Sequence, residues 1–236
     1  MTAVYQKKQN LWGKEGQQIM AKLPNVCIDP GHGGQQPGAV SHDQKHKEKD
    51  IVLDISLYVA SYLLYATRDS LSGDFVMNDF CPEDPKPPVS VIMTRASDDT
   101  VTLQSRCNIA NLNKASCFVS IHCNSYKGET ANGIETWYFS TSSKSKTFAS
   151  VVHSSIMEQV KNFTVTDKDG TKHPIKNRGA KANSTYYTLK HTTMPSLVVE
   201  CGFMSHANEV ELLSTDEYKK ALARGIAQGI LRVFAS

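Results

Sequence analysis

The sequence predicts an α/β fold: a single three-layer α/β/α domain around a twisted, mostly parallel sheet. Short apolar runs bounded by Gly, Pro or polar residues alternate with longer stretches whose apolar residues recur every four positions. That alternation builds parallel sheets with helices on both faces. The length, 236 residues, fits one such domain and is short for two.

Taken in order, residues 1–22 read as a polar N-terminal extension and 23–236 as the domain. NVCID at 25–29 is a buried strand, closed by Pro30-Gly31 and a glycine-rich loop reaching Gly38. Residues 49–66 carry Ile51, Ile55, Val59 and Leu63 on one helical face, with Asp50 suited to the first turn. Residues 69–88, rich in Gly, Pro and Asp, read as an insertion or long loop. A strand at 89–94 and a helix at 103–112 follow, then strands at 117–121 and 133–139. A helix at 144–160 shows Phe148, Val152 and Ile156 at spacings of four. Residues 162–177 read as a loop or small hairpin, and 184–189 lead towards a strand at 196–199. The helix at 215–234 presents Leu222, Ile226, Ile230 and Val233 as one stripe.

Composition narrows the function. With 40% apolar and 21% charged residues the chain is an ordinary globular one, not a disordered one. A net charge of +3 is too small to argue for nucleic acid. No apolar run approaches the roughly 20 residues that cross a bilayer, so no membrane insertion is expected. The N-terminal residues lack the apolar core of a secretory signal, so the chain as given reads as made in the cytoplasm. Its cysteines, Cys27, Cys81, Cys107, Cys117, Cys123 and Cys201, form no CxxC pair and lie mostly in apolar runs. They read as free buried thiols rather than a disulfide framework.

Open parallel sheets bind ligands beyond the carboxyl ends of their strands. His32, His122 and Glu200 each fall just past a predicted strand, and Glu48 falls just ahead of the first long helix. Two histidines and a carboxylate make an open zinc site, and a second carboxylate makes a general base. Each residue also has an ordinary alternative. His32 suits a turn, His122 a hydrogen-bonded core position, and Glu48 a solvated face within HDQKHKEKD. Glu200 follows an apolar run, where an unpartnered carboxylate is costly to bury. Cys123 and Cys201 adjoin site residues, but strand alternation points them to the opposite face.

The segments DPGHGG (29–34), EKD (48–50), MTR (93–95), Arg106 with Ala110-Asn111, SIHCNS (120–125), NRGAK (177–181) and VECGFMS (199–205) occur in this order. Together they resemble the type-3 N-acetylmuramoyl-L-alanine amidase family of zinc-dependent peptidoglycan hydrolases. The resemblance implies Zn2+ held by His32, Glu48 and His122, with Glu200 as catalytic base. It places Arg178 and Lys181 near the substrate groove. The implied reaction cuts the amide between N-acetylmuramic acid and L-alanine in peptidoglycan, and a monomer is expected. Free cysteines and the missing signal fit a lytic, endolysin-like enzyme that reaches the cell wall after release or export. The alternatives are another zinc peptidoglycan hydrolase, or an autolysin or spore or cell-division amidase activated by a partner. Two departures stand out: His206 where the family often has Asn, and Cys123 where it has a small or amide residue. The 69–88 segment is expected on the groove rim or on the far side of the sheet.

Overall fold

The computed structural model describes residues 23–68, 74–79, 87–128, 130–167 and 169–235. The 1–22 extension and parts of the 69–88 segment lie outside those residues. In chain order the elements are β1 (Asn25–Pro30), α1 (Glu48–Tyr65), β2 (Thr67–Arg68), β3 (Phe75–Val76), β4 (Ser90–Met93), α2 (Leu103–Leu112), β5 (Cys117–Asn124) and β6 (Ile134–Phe139). Then follow α3 (Ser143–Val160), β7 (Thr164–Thr166), β8 (Lys172–Pro174), β9 (Asn177–Asn183), α4 (Tyr187–His191), β10 (Ser196–Phe203), α5 (Ala207–Ser214) and α6 (Asp216–Ala235).

Six strands form the central sheet in the order β4-β1-β5-β10-β6-β9. All its pairings are parallel except β6 against β10. The α/β expectation therefore holds, with one pair of strands running the other way. The 162–177 region is a β7–β8 hairpin followed by β9, an edge strand that the sequence pattern did not announce. NRGAKAN carries no apolar alternation because most of its side chains stay half-buried or exposed.

Strand alternation divides the core. Val26, Ile28, Val119, Ile121, Leu197 and Val199 face a large apolar cluster shared with α1, α3 and α6. Burial of each such side chain contributes about 1.5–3 kcal/mol, so this layer supplies most of the hydrophobic stabilisation. Gly225 and Gly229 of α6 lie against the Ile156 and Val152 backbone of α3, where any Cβ would overlap. Cys27 and Phe118 face the other way, in a small cluster with Ala110 of α2 and Ala115. Among the described residues that side carries α2 and the single turn of α4. Thr102 and Ser142 cap α2 and α3 by accepting the amides of Ser105 and Ser145.

The described part of the 69–88 segment sits on the heavily covered side. Asp79 accepts from Arg224 of α6 and from Tyr62 of α1, and Asp74 accepts from Gln228 and Arg232. No described helix is long and apolar enough to cross a membrane.

Candidate metal centre and active site

His32 follows β1 in a left-handed backbone conformation, with φ of 57°. Two arginines hold that loop from beneath. Arg106 donates to the His32 carbonyl at 2.5 Å, and Arg95 donates to the Pro30 and Gly31 carbonyls at 3.0 and 2.7 Å. Arg106 also pairs with buried Asp29 at 2.7 Å, and Asp29 accepts from Thr94 and Ser120 as well. Gly31 sits so close to the His122 ring that a Cβ there would overlap it.

Glu48 opens α1 and bridges the two imidazoles. Its Oε2 lies 3.1 Å from His32 Nε2, and its Oε1 lies 3.0 Å from His122 Nδ1. The backbone amides of Ala39 and Cys123 donate to these two oxygens at 2.9 and 3.0 Å. Burial pushes the Glu48 pKa up. The bonds to His122 and His32 outweigh that and hold it well below the usual carboxylate range. Burial lowers the His122 pKa, and the Glu48 contact outweighs it, for a net rise. One ligand atom each from His32, Glu48 and His122 lies within 4.8 Å of the others. Two imidazoles and a carboxylate with an open side are the donor set of a hydrolytic zinc site.

Glu200 stands opposite His122 in the β10–β5 register, so both side chains emerge on the sheet face that carries α2. It is 7% exposed, and its Oε2 has no hydrogen-bond partner among the described residues. Burial lifts its pKa to about 7, opposed by nearby His122 and aided by Glu48 and Glu135. A buried carboxylate with an unpartnered oxygen can accept a proton from a water or substrate atom that reaches it.

The family profile described as N-acetylmuramoyl-L-alanine amidase matches residues 26–69 and 84–232. The chain belongs to the N-acetylmuramoyl-L-alanine amidase family. The amidase CwlM of Bacillus licheniformis is 30% identical over 90% of this chain and 69% of its own length. An endolysin of Bacillus phage SPP1 is 34% identical over 91% of this chain and 66% of its own. The crystal structure of an N-acetylmuramoyl-L-alanine amidase from Clostridium difficile 630 superposes with a TM-score of 0.74 at 32% identity. That match covers 91% of this chain and 98% of the other. The family is generally zinc-dependent.

In this amidase the four residues singled out from the sequence come together, with one change in how. Only His32 lies past its strand. His122 and Glu200 sit inside β5 and β10, which continue to Asn124 and Phe203. A polar residue did not end either strand, because its side chain turns to the site while its backbone stays in the ladder. Cys123 and Cys201 belong to the apolar cluster on the opposite face. His206 caps α5 by accepting the Glu209 amide at 3.4 Å.

Sequence reasoning missed two carboxylates. Glu209 is buried and accepts the Gly133 and Phe203 amides, tying the start of β6 to the end of β10. Glu135 lies opposite Glu200 in the β6–β10 register and accepts from Arg178 and Lys181. Its signal was available: a Glu inside the apolar run GIETWYF raises the same question as Glu200.

Proposed function

We propose that this amidase holds zinc with His32, Glu48 and His122, and that Glu200 is the general base for hydrolysis of the N-acetylmuramoyl–L-alanine amide of peptidoglycan. The observation that carries this reading is the unpartnered, buried Glu200 oxygen beside the His–Glu–His cluster. Held by these three residues, zinc would supply Lewis-acid chemistry to the amide carbonyl. Glu48 is held by two backbone amides, so it keeps its place between the imidazoles when substrate arrives. Arg106 and Arg95 fix the His32 loop from below, which limits drift of that imidazole. Glu200 accepts a proton from the attacking water and returns it to the leaving nitrogen, which departs as the amine of L-alanine.

In this reading the protein works as a monomer on peptidoglycan. It is a lytic enzyme made in the cytoplasm that meets the wall after release or export. The five described cysteines are free and buried, which suits synthesis in a reducing compartment.

The test is mass spectrometry of purified peptidoglycan digested with and without a strong chelator. Digestion is expected to release stem peptides with free L-alanine amino termini and no new reducing sugar ends. Chelation is expected to stop release and added zinc to restore it. Full activity of the metal-free protein would overturn the metal assignment, and new reducing ends would indicate a glycosidase.

A further inference from the structure

Glu135 holds more positive charge than it needs. Its Oε1 accepts from Asn124 at 2.7 Å, and its Oε2 accepts from both Arg178 Nε and Lys181 Nζ at 2.7 Å. One carboxylate thus serves two cations, and the trio carries a net charge of about +1 at neutral pH. The Glu135 side chain is 3% exposed, while those of Arg178 and Lys181 are 26% and 35% exposed. The carboxylate is the buried anchor and the cations are the accessible part.

Each cation is fixed from a second side. The Arg178 guanidinium lies 4.9 Å over the Phe203 ring, and the Lys181 ammonium lies 5.3 Å over Trp137. Arg178 uses Nε on Glu135 and Nη1 on the Asn132 carbonyl, so Nη2 is unused among the described residues. The Lys181 ammonium has three donors and shows one bond, to Glu135. Arg178 also lies in the field of buried Glu209; what the pair offers an incoming anion is the donors that it leaves unused. Glu135 stands directly opposite Glu200, and Lys181 stands opposite Trp137, so the unit lies beside the reacting carboxylate on the same face.

We propose that Arg178 and Lys181, positioned by Glu135, recognise a free carboxylate on the second residue of the stem peptide, next to the L-alanine whose amide is cut. The inference rests on the amidase reading of the same site. A guanidinium and an ammonium anchored on one oxygen of Glu135, each with donors left over, suit an incoming carboxylate, and a neutral amide in its place loses the charge-assisted bonds. Glu135 is a positioning residue here, since it acts through the two cations. Its loss frees both side chains and adds uncompensated positive charge.

Two muropeptides test this, identical except that the α-carboxylate of the second stem residue is free in one and amidated in the other. The wild-type protein is expected to favour the free acid by about tenfold in kcat/KM, mainly through KM. Lys181→Met and Arg178→Gln are each expected to remove most of that preference, and Lys181→Arg to keep it. Glu135→Gln is expected to weaken it as well. A structural role would lower both substrates together and leave the ratio unchanged. An unchanged ratio in both Lys181→Met and Arg178→Gln, or a wild type that does not discriminate, overturns the proposal. Cleavage of the amidated muropeptide by wild type reports separately on the amidase reading; cleavage of neither would overturn both.

Discussion

The sheet face carrying α2 holds two kinds of buried carboxylate, on strands separated only by β5. Asp29 on β1 is saturated: Arg106, Thr94 and Ser120 all donate to it, and Arg106 continues to the Pro30 and His32 carbonyls. Glu200 on β10 is also buried yet keeps an oxygen without a partner among the described residues. The same functional group, buried on one sheet face, therefore serves two ends. A saturated carboxylate ties distant segments into one rigid support. An unsaturated one is a cost that folding tolerates where a ligand or a proton is to arrive.

The most direct way to break this comparison is to neutralise the unsaturated member. Glu200→Gln keeps shape and volume and leaves His32, Glu48 and His122 in place. It is expected to lower kcat by about 10²–10⁴-fold while zinc content stays at wild-type level, as read by metal analysis beside kinetics. A variant turning over at the wild-type rate would remove Glu200 from the mechanism.

The saturated member should respond in stability instead. Asp29→Ala leaves the buried Arg106 guanidinium without its counterion and two hydroxyls without an acceptor. Urea denaturation should show a loss of about 3–5 kcal/mol. A loss under 1 kcal/mol would mean that the network relaxes around the gap.

A third prediction sharpens the contrast through pH. The Glu200 pKa rises from 4.5 to about 7 in the folded, metal-free protein, chiefly through burial. Below pH 4.5 both folded and unfolded chains bind the proton. Between 4.5 and 7 the unfolded chain has released it and the folded chain has not, so stability falls as pH rises through that window. The loss at pH 8 is on the order of 3 kcal/mol, and Glu200→Gln should recover it. Unfolding curves of the two proteins at pH 5 and pH 8 give the answer, and parallel pH dependences would contradict it.

The smallest effect belongs to the far side of the molecule. Arg224 and Asp79 pair at 2.7 Å with side chains 36% and 45% exposed. Solvent screens that contact, so Arg224→Ala should cost less than about 1 kcal/mol and leave turnover unchanged. A marked drop in activity would show that the 74–79 segment reaches the groove.

The site was legible in the sequence to different depths. Glu200 stood out because four apolar or small residues precede it, and burial of a charge demands a reason. Glu48 sat in a run of charges that looks like a solvated face, yet the structure buries it. The folding of the 32–48 loop, with Ala39 and Cys123 as donors, turns an ordinary glutamate into a bridging one. Glu135 offered the same cue as Glu200 and was read only as part of a strand. The edge strand β9 offered no periodicity at all, since its pairing with β6 is made by backbone and its side chains are mostly polar.

By itself the sequence determined what depends on near neighbours: strand runs, helix stripes and the order of motifs that marks the family. These follow from periodicity and from bonds that span a few residues. Tertiary structure decided which buried charges find partners. Asp29 meets Arg106 across 77 positions, and Glu48 meets His122 across 74. Those pairings depend on which strands lie side by side and which face each side chain takes. No local pattern encodes whether a carboxylate will end saturated, like Asp29, or open, like Glu200.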